Sequence, residues 1–195
     1  MAIQIYGLGS SIIALIVVIV LFSLKVVKQY ERGVLFTLGK YAGKMSPGLR
    51  LVIPVIQAWE RVDLRVKAVD VPDQECITQD NVSVKVNAVI YYKVSDAAKA
   101  IIEVEHFNYA ISQLAQTTMR NIVGEVTLDE LLSKREKISG KIKLIVDQAT
   151  DPWGIKVESV ELKDVVLPED LKRTIGKQAE AEREKRAVII NVDGI

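Results

Sequence analysis

The sequence predicts an α+β domain carried behind one N-terminal membrane helix and followed by a charged helix. Three observations predict it. Residues 2–24 contain no charged side chain. Between 62 and 162 the hydrophobic period runs at two, changes to about 3.6, and returns to two. Beyond Pro168 the chain becomes dense in Ala, Glu, Lys and Arg. The domains expected are an anchor over 1–24, a folded domain over 25–167, and an oligomerisation helix over 168–195 that stops short.

The anchor is the clearest element. Its core is Ser11, Ile12, Ile13, Leu15, Ile16, Val17, Val18, Ile19, Val20, Leu21, Phe22 and Leu24. About 20 helical residues cover the roughly 30 Å hydrocarbon core of a bilayer, which this stretch just meets. A cleavable signal peptide fits less well, because no basic residues precede the run and no small-x-small site follows it. A re-entrant hairpin stays open as an alternative to a span, although the run 11–24 holds no Pro or Gly breaker. Lys25, Lys28 and Arg32 follow at once, so the positive-inside rule places the folded part on the cytoplasmic side of a single-pass cell-membrane protein. The same three cations are candidates for contact with anionic headgroups, at about 1 kcal/mol per charge near the surface; the plainer reading is topology and solubility.

Composition excludes several function classes. Charged residues make up 26% of the 195 and the net charge is +1, so no overall field argues for nucleic acid. One cysteine, Cys76, cannot build a disulfide framework or a metal site, and in a β-rich segment it reads as a half-buried hydrophobe. The only histidine, His106, lies beside Glu103 and Glu105. Metal-binding helices need ligands at i,i+4 and a third donor, so a solvated turn is the better reading. No GxSxG, GxGxxG or GxxxxGK[ST] occurs. The chain is therefore expected to be no enzyme and to need no cofactor.

Within the folded part, 26–38 reads as a strand pair or bent strand, and Pro47-Gly48 as a turn before the apolar run 49–53. Val62, Leu64, Val66 and Ala68 predict a half-solvated strand. Asp80-Asn81 predicts a hairpin turn into a strand with Val82, Val84, Val86, Ala88, Ile90, Tyr92 and Val94 on one face. Ser95 and Asn108 are the expected N-caps of a short helix and a longer one. The longer one turns Ile111, Leu114, Ala115, Thr118 and Ile122 inward and stops at Gly124. Capping boxes at Thr127/Glu130 and Ser133/Glu136 follow, the second opening a helix with Ile138, Ile142, Ile145 and Ala149 inward. Asp151-Pro152-Trp153-Gly154 is a tight connection, with Trp153 a core plug, into a strand whose alternation slips near Ser159. The terminal charged helix begins at Pro168, and its thin stripe of Leu171, Ile175, Gln178, Glu182 and Arg186 suits one strand of a coiled coil.

Several of these segments together resemble the stomatin and prohibitin-like (SPFH, band-7) family, in its prokaryotic stomatin-like (slipin) branch. PGLRLVIP at 47–54 looks like the family's PGLxxxxP element. The runs 62–94, 114–138 and 153–168 are similar to the stomatin branch almost position for position, and QAEAEREKRA at 178–187 resembles the opening of its long helix. The resemblance implies an SPFH domain made of a curved, mainly antiparallel sheet with packed helices, followed by a helix that assembles many copies on a membrane. It implies a scaffold for membrane proteins and lipid microdomains, a regulator of channels and proteases. Its implied partners are membrane lipid, further copies of itself, and an NfeD-type membrane serine protease of which it would be a dedicated regulator or a substrate. Family helices run several tens of residues past the point where this one stops and end in an apolar segment, so full cage assembly is not expected of these residues alone.

Overall fold

A computed structural model describes residues 22–168 and Arg173. The anchor residues 11–21 and the assembly positions Leu171, Ile175, Gln178, Glu182 and Arg186 lie outside the described residues. The chain divides into two compact units: one comprises residues up to Ala68 with Tyr91–Ala110 and Asp147–Glu158, the other Val69–Ile90, Ile111–Val146 and the residues from Ser159.

The first unit is layered. β2 (Glu31–Thr37) is flanked by β3 (Lys40–Met45) and β5 (Gln57–Asp63), both antiparallel to it. The β2/β3 register shifts between Leu35 and Phe36, leaving Ala42 as the extra residue of a bulge that turns the edge. One face of this sheet carries Val34 and Val62, which pack with Ala97, Ala98 and Ala100 of α1 (Ala97–Ile102). The other carries Leu35 and Trp59, against Val27, Met45 and Val52. Val27 belongs to β1 (Leu24–Val27), which pairs antiparallel with β4 (Gly48–Leu51) as a separate two-stranded sheet. The membrane helix expected to run through Leu24 has therefore ended by that residue: Leu24 is a strand residue, opposite Leu51. Its β-branched neighbours Val26 and Val27 and the partner run 49–51 favour the pleated pairing.

Several expected boundaries move by a residue or two, each for a local reason. The strand expected over 62–68 is interrupted, because the Asp63 carboxylate accepts the Arg65 N–H at 2.9 Å and turns the chain between β5 and β6 (Lys67–Ile77). Asp96, not Ser95, caps α1: its carboxylate accepts from Ala98 and Lys99 N–H at 2.9 and 3.3 Å, while the Ser95 N–H goes to Gly154 O. The next helix, α2 (Phe107–Glu125), begins before Asn108, whose side-chain oxygen instead accepts the Tyr92 hydroxyl. It also runs through Gly124.

The third sheet has the order β6-β7-β8, with β7 over Ser83–Val94 and β8 over Ile155–Val166. The buried residues of β7 fall on the expected alternate positions from Val84 to Val94, with Val89 buried too. In β8 the buried set steps from Ile155 and Val157 to Val160, the expected slip. Asn81 adopts φ 62 in the β6–β7 turn, as expected of Asn there. The Asp80 carboxylate accepts the Thr78 hydroxyl and the Leu128 N–H at 3.2 Å, and the Gln79 N–H reaches Val126 O at 2.9 Å. The turn is thereby fastened to the start of α3 (Leu128–Ser133), which Thr127 caps as expected. The second capping box does not form. Ser133 closes α3, its hydroxyl donating to Asp129 O at 2.7 Å, and α4 (Arg135–Thr150) starts after the non-helical Lys134. Ile138 and Ile142 are buried as expected, but Val146 is the third inward residue and Ile145 is exposed. Trp153 is half-buried and Cys76 fully buried, which pushes its thiol pKa up.

Two predictions follow from this geometry. Gly154 sits at φ +68, and a Cβ there would stand 2.7 Å from Asp96 O and 2.9 Å from Lys99 Cβ. Gly154→Ala should cost on the order of 1–3 kcal/mol, read as a lower denaturation midpoint; an unchanged midpoint would refute the close packing. The Asp80 carboxyl is held below its ordinary value, first by the Thr78 hydroxyl and then by the Leu128 N–H. A carboxyl depressed in the folded state contributes stability fully above its unfolded pKa of about 3.9, and loses it as pH falls through the folded value. Asp80→Asn should therefore lower Tm at pH 7, with the gap to the parent narrowing below about pH 4. A gap independent of pH would rule this linkage out.

Candidate functional site

The feature that sets this chain apart is the outer side of the β1–β4 sheet. Directly opposed residues share a face of an antiparallel pair, and alternate residues switch faces. Leu24 opposes Leu51 and Val26 opposes Leu49. The Val52 N–H donates to Ser23 O at 2.8 Å just beyond the paired residues, and the exposed Phe22, in the helical turn that precedes β1, and Ile53 adjoin the row in sequence. The inner row holds buried Val27 with Gly48 opposite it and the Lys25/Arg50 pair, and buried Ser23 and Val52 flank it. The outer row holds only apolar side chains, from 37% exposed at Leu24 to 65% at Val26 and Leu49.

A second group adjoins this row in sequence. Val55, fully exposed, takes φ 75, and Leu38, also exposed, takes φ 50. The Leu38 N–H donates to Ile56 O at 2.9 Å, joining the β2–β3 turn to the β4–β5 turn. Left-handed backbone is normal for Gly or Asn and costly for a β-branched residue. Two turns thus hold large apolar side chains out in water, at conformations that favour smaller ones. Solitary exposed leucines need no explanation, but a contiguous apolar row of this kind marks an interaction surface.

The cations expected at headgroups are not gathered into one site. Lys25 opposes Arg50 on the inner row of β1–β4, and the Arg50 Nε donates to Ser46 O at 3.2 Å. Arg32 lies in β2, its guanidinium donating to Glu31 O at 3.3 Å. Lys28 lies 5.6 Å from the centre of the Tyr30 ring, and its pKa is raised, chiefly by the hydrogen bond to Tyr30. Arg65 stacks on the same ring at 4.2 Å and grips Asp63 at 2.6–3.1 Å, which holds that carboxyl down at about 2. Tyr30 therefore organises two cations at the β1–β2 turn, a cluster that spacing alone did not reveal.

His106 lies on an exposed turn with Nε2 3.8 Å from a Glu105 oxygen. No group of three or more His, Cys, Asp or Glu side chains placed to hold a metal occurs among the described residues. Nor, among those residues, is any helix long and apolar enough to cross a membrane. The sequence hides the outer row of β1–β4, because the uncharged run that reads as anchor extends to Leu24 and the run 49–53 has no adjacent partner; the alternation at 24 and 26 and at 49 and 51 is the signal that reveals it.

Comparison with known proteins places this architecture. The family model described as "SPFH domain / Band 7 family" matches residues 25–194. A stomatin homologue of Pyrococcus horikoshii is 51% identical over 181 residues, covering 92% of this chain and 68% of that protein. An uncharacterised protein of Archaeoglobus fulgidus is 54% identical over 185 residues, covering 93% and 74%. Stomatin-4 of Caenorhabditis elegans is 48% identical over 175 residues, covering 89% and 62%. With a matching domain of mixed helices and antiparallel sheets, and relatives at about half identity over most of its length, the chain belongs to the SPFH/band 7 family as a homologue of the stomatins.

Proposed function

We propose that this chain is a membrane-anchored oligomeric scaffold that gathers and regulates membrane proteins, and that its first unit rests on the lipid through the outer row of β1–β4. The observation carrying the reading is that row itself. The uncharged stretch 11–24 enters the strand pair at Leu24, the first member of the row, with exposed Phe22 just before it, so the apolar surface begins where the expected anchor ends. Burying one Leu or Phe side chain is worth roughly 1.5–3 kcal/mol. Six such side chains adjoining a bilayer are a substantial source of adhesion.

Family membership supports membrane association and scaffolding. Channels and membrane proteases, among them the NfeD type, are the clients this reading implies, with the folded residues on the cytoplasmic side. Assembly is assigned to the segment after Pro168, through Leu171, Ile175, Gln178, Glu182 and Arg186. A tether raises the local concentration of copies, so individually weak contacts add up.

Two measurements test this. In the full chain reconstituted in lipid vesicles, a polarity-sensitive dye on Leu51→Cys should shift blue and be quenched by lipid-borne quenchers, whereas the same dye on Lys85→Cys should not; buried Cys76 does not compete for label. Equal quenching at both positions, or at neither, would overturn the proposed lipid contact. Replacing Leu171 and Ile175 together by Glu should reduce the cross-linked oligomer to small species. Undiminished cross-linking would remove that segment from the assembly.

A further inference from the structure

The described residues carry two exposed apolar patches of opposite electrostatic character. The first lies on α4, where Lys137, Lys141, Leu144 and Ile145 fall at i, i+4, i+7 and i+8, hence on one helical face. Leu144 and Ile145 are both exposed, Leu144 on the side of the helix away from buried Ile142 and Val146 and Ile145 at the margin of the buried stripe. Lys134, paired with Glu130 at 2.8 Å, extends the positive row backwards. Over residues 134–143 there are five Lys or Arg and one acidic residue. The second patch is the connection from α1 to α2. There Ile102 and Tyr109 are exposed beside Glu103 and Glu105, and residues 100–119 contain no Lys or Arg. An open hollow of about 410 Å³, lined by Glu105, His106, Phe107, Asn108 and Tyr109, adjoins them.

Each patch pairs two large apolar side chains with an excess of one charge: Glu130 answers only part of the charge of Lys134, Lys137 and Lys141, and His106 is the one basic side chain near Glu105. We infer that these patches are the two halves of one contact between copies: the Lys137/Lys141/Leu144/Ile145 face of one copy docks on the Ile102/Glu103/Glu105/Tyr109 knuckle of the next. The inference rests on the scaffold reading above and specifies how neighbouring copies meet. Two different patches on one chain make a heterologous contact, which propagates from copy to copy and closes into a ring or continues as a filament. The apolar pairs supply burial, the charges supply orientation, and Tyr109 offers its ring face to a lysine. Exposed ion pairs contribute little singly, so the contact is weak in dilution and effective only between copies already held side by side.

Charge exchange in the full chain, held in lipid nanodiscs and weighed by native mass measurement, tests it. Glu103→Lys with Glu105→Lys should shift the population from oligomer to monomer, and Lys137→Glu with Lys141→Glu should do the same. All four changes in one chain should restore the oligomer. Thermal melts should match the parent throughout, since all four side chains are exposed. Oligomers that survive either reversal overturn the docking but leave the scaffold reading standing. Loss in both pairs without recovery in the fourfold variant also overturns the docking. A parent protein that is monomeric at high density in the bilayer removes the scaffold reading and the docking together.

Discussion

Among the described residues the β1–β4 layer is covered by protein on one side only, and much else in the first unit follows from that. Its inner row packs Val27 and Val52 against Leu35 and Trp59, so the layer cannot leave the sheet beneath without opening that cluster. Its outer row is apolar, whereas its inner row also carries Lys25 opposite Arg50. An isolated two-stranded sheet is marginal in water. A one-residue slip would bring Lys25 and Arg50 to the outer row and withdraw Val27 from the cluster beneath, so the charged pair and the Val27 packing together fix the register.

The turns at 38 and 55 extend the same logic. A loop that faces only water has no reason to place Leu and Val in left-handed backbone, where Gly or Asn costs nothing. Local strain persists where the surroundings fix it, and here the Leu38 to Ile56 hydrogen bond and the reciprocal bonds between Ile53 and Gln57 do so. Strained, apolar and exposed together are the marks of a surface shaped for an environment other than bulk water.

Much of this was legible from residue pattern. The long strand β7, the Asn81 turn, the Thr127 cap and the Gly154 connection each rest on one strong local rule, and each stands where that rule put it. Misreadings occurred where two local rules competed. Ser95 and Asp96 both cap well, and the carboxylate prevailed while the Ser95 N–H bonded to Gly154 O. Ile145 and Val146 are adjacent on α4, and only tertiary packing decides which turns inward. The β1–β4 pairing was hidden for a different reason. It joins residues about 25 apart in sequence across two intervening strands, and the uncharged run ahead of it blends into the anchor.

Membrane contact and lateral contact reinforce one another. A copy held only by a flexible tether would present any face to its neighbours and would still lose rotational freedom on docking. A copy also seated through an apolar face has surrendered most of that freedom already, so a weaker lateral contact suffices to order it. This offers a reason for the modest character of the Lys137/Lys141 face. A strongly apolar face there would bind copies before they reached the bilayer. One dominated by charge, flanked by two aliphatic side chains, discriminates between partners while leaving most of the affinity to confinement in the plane of the membrane.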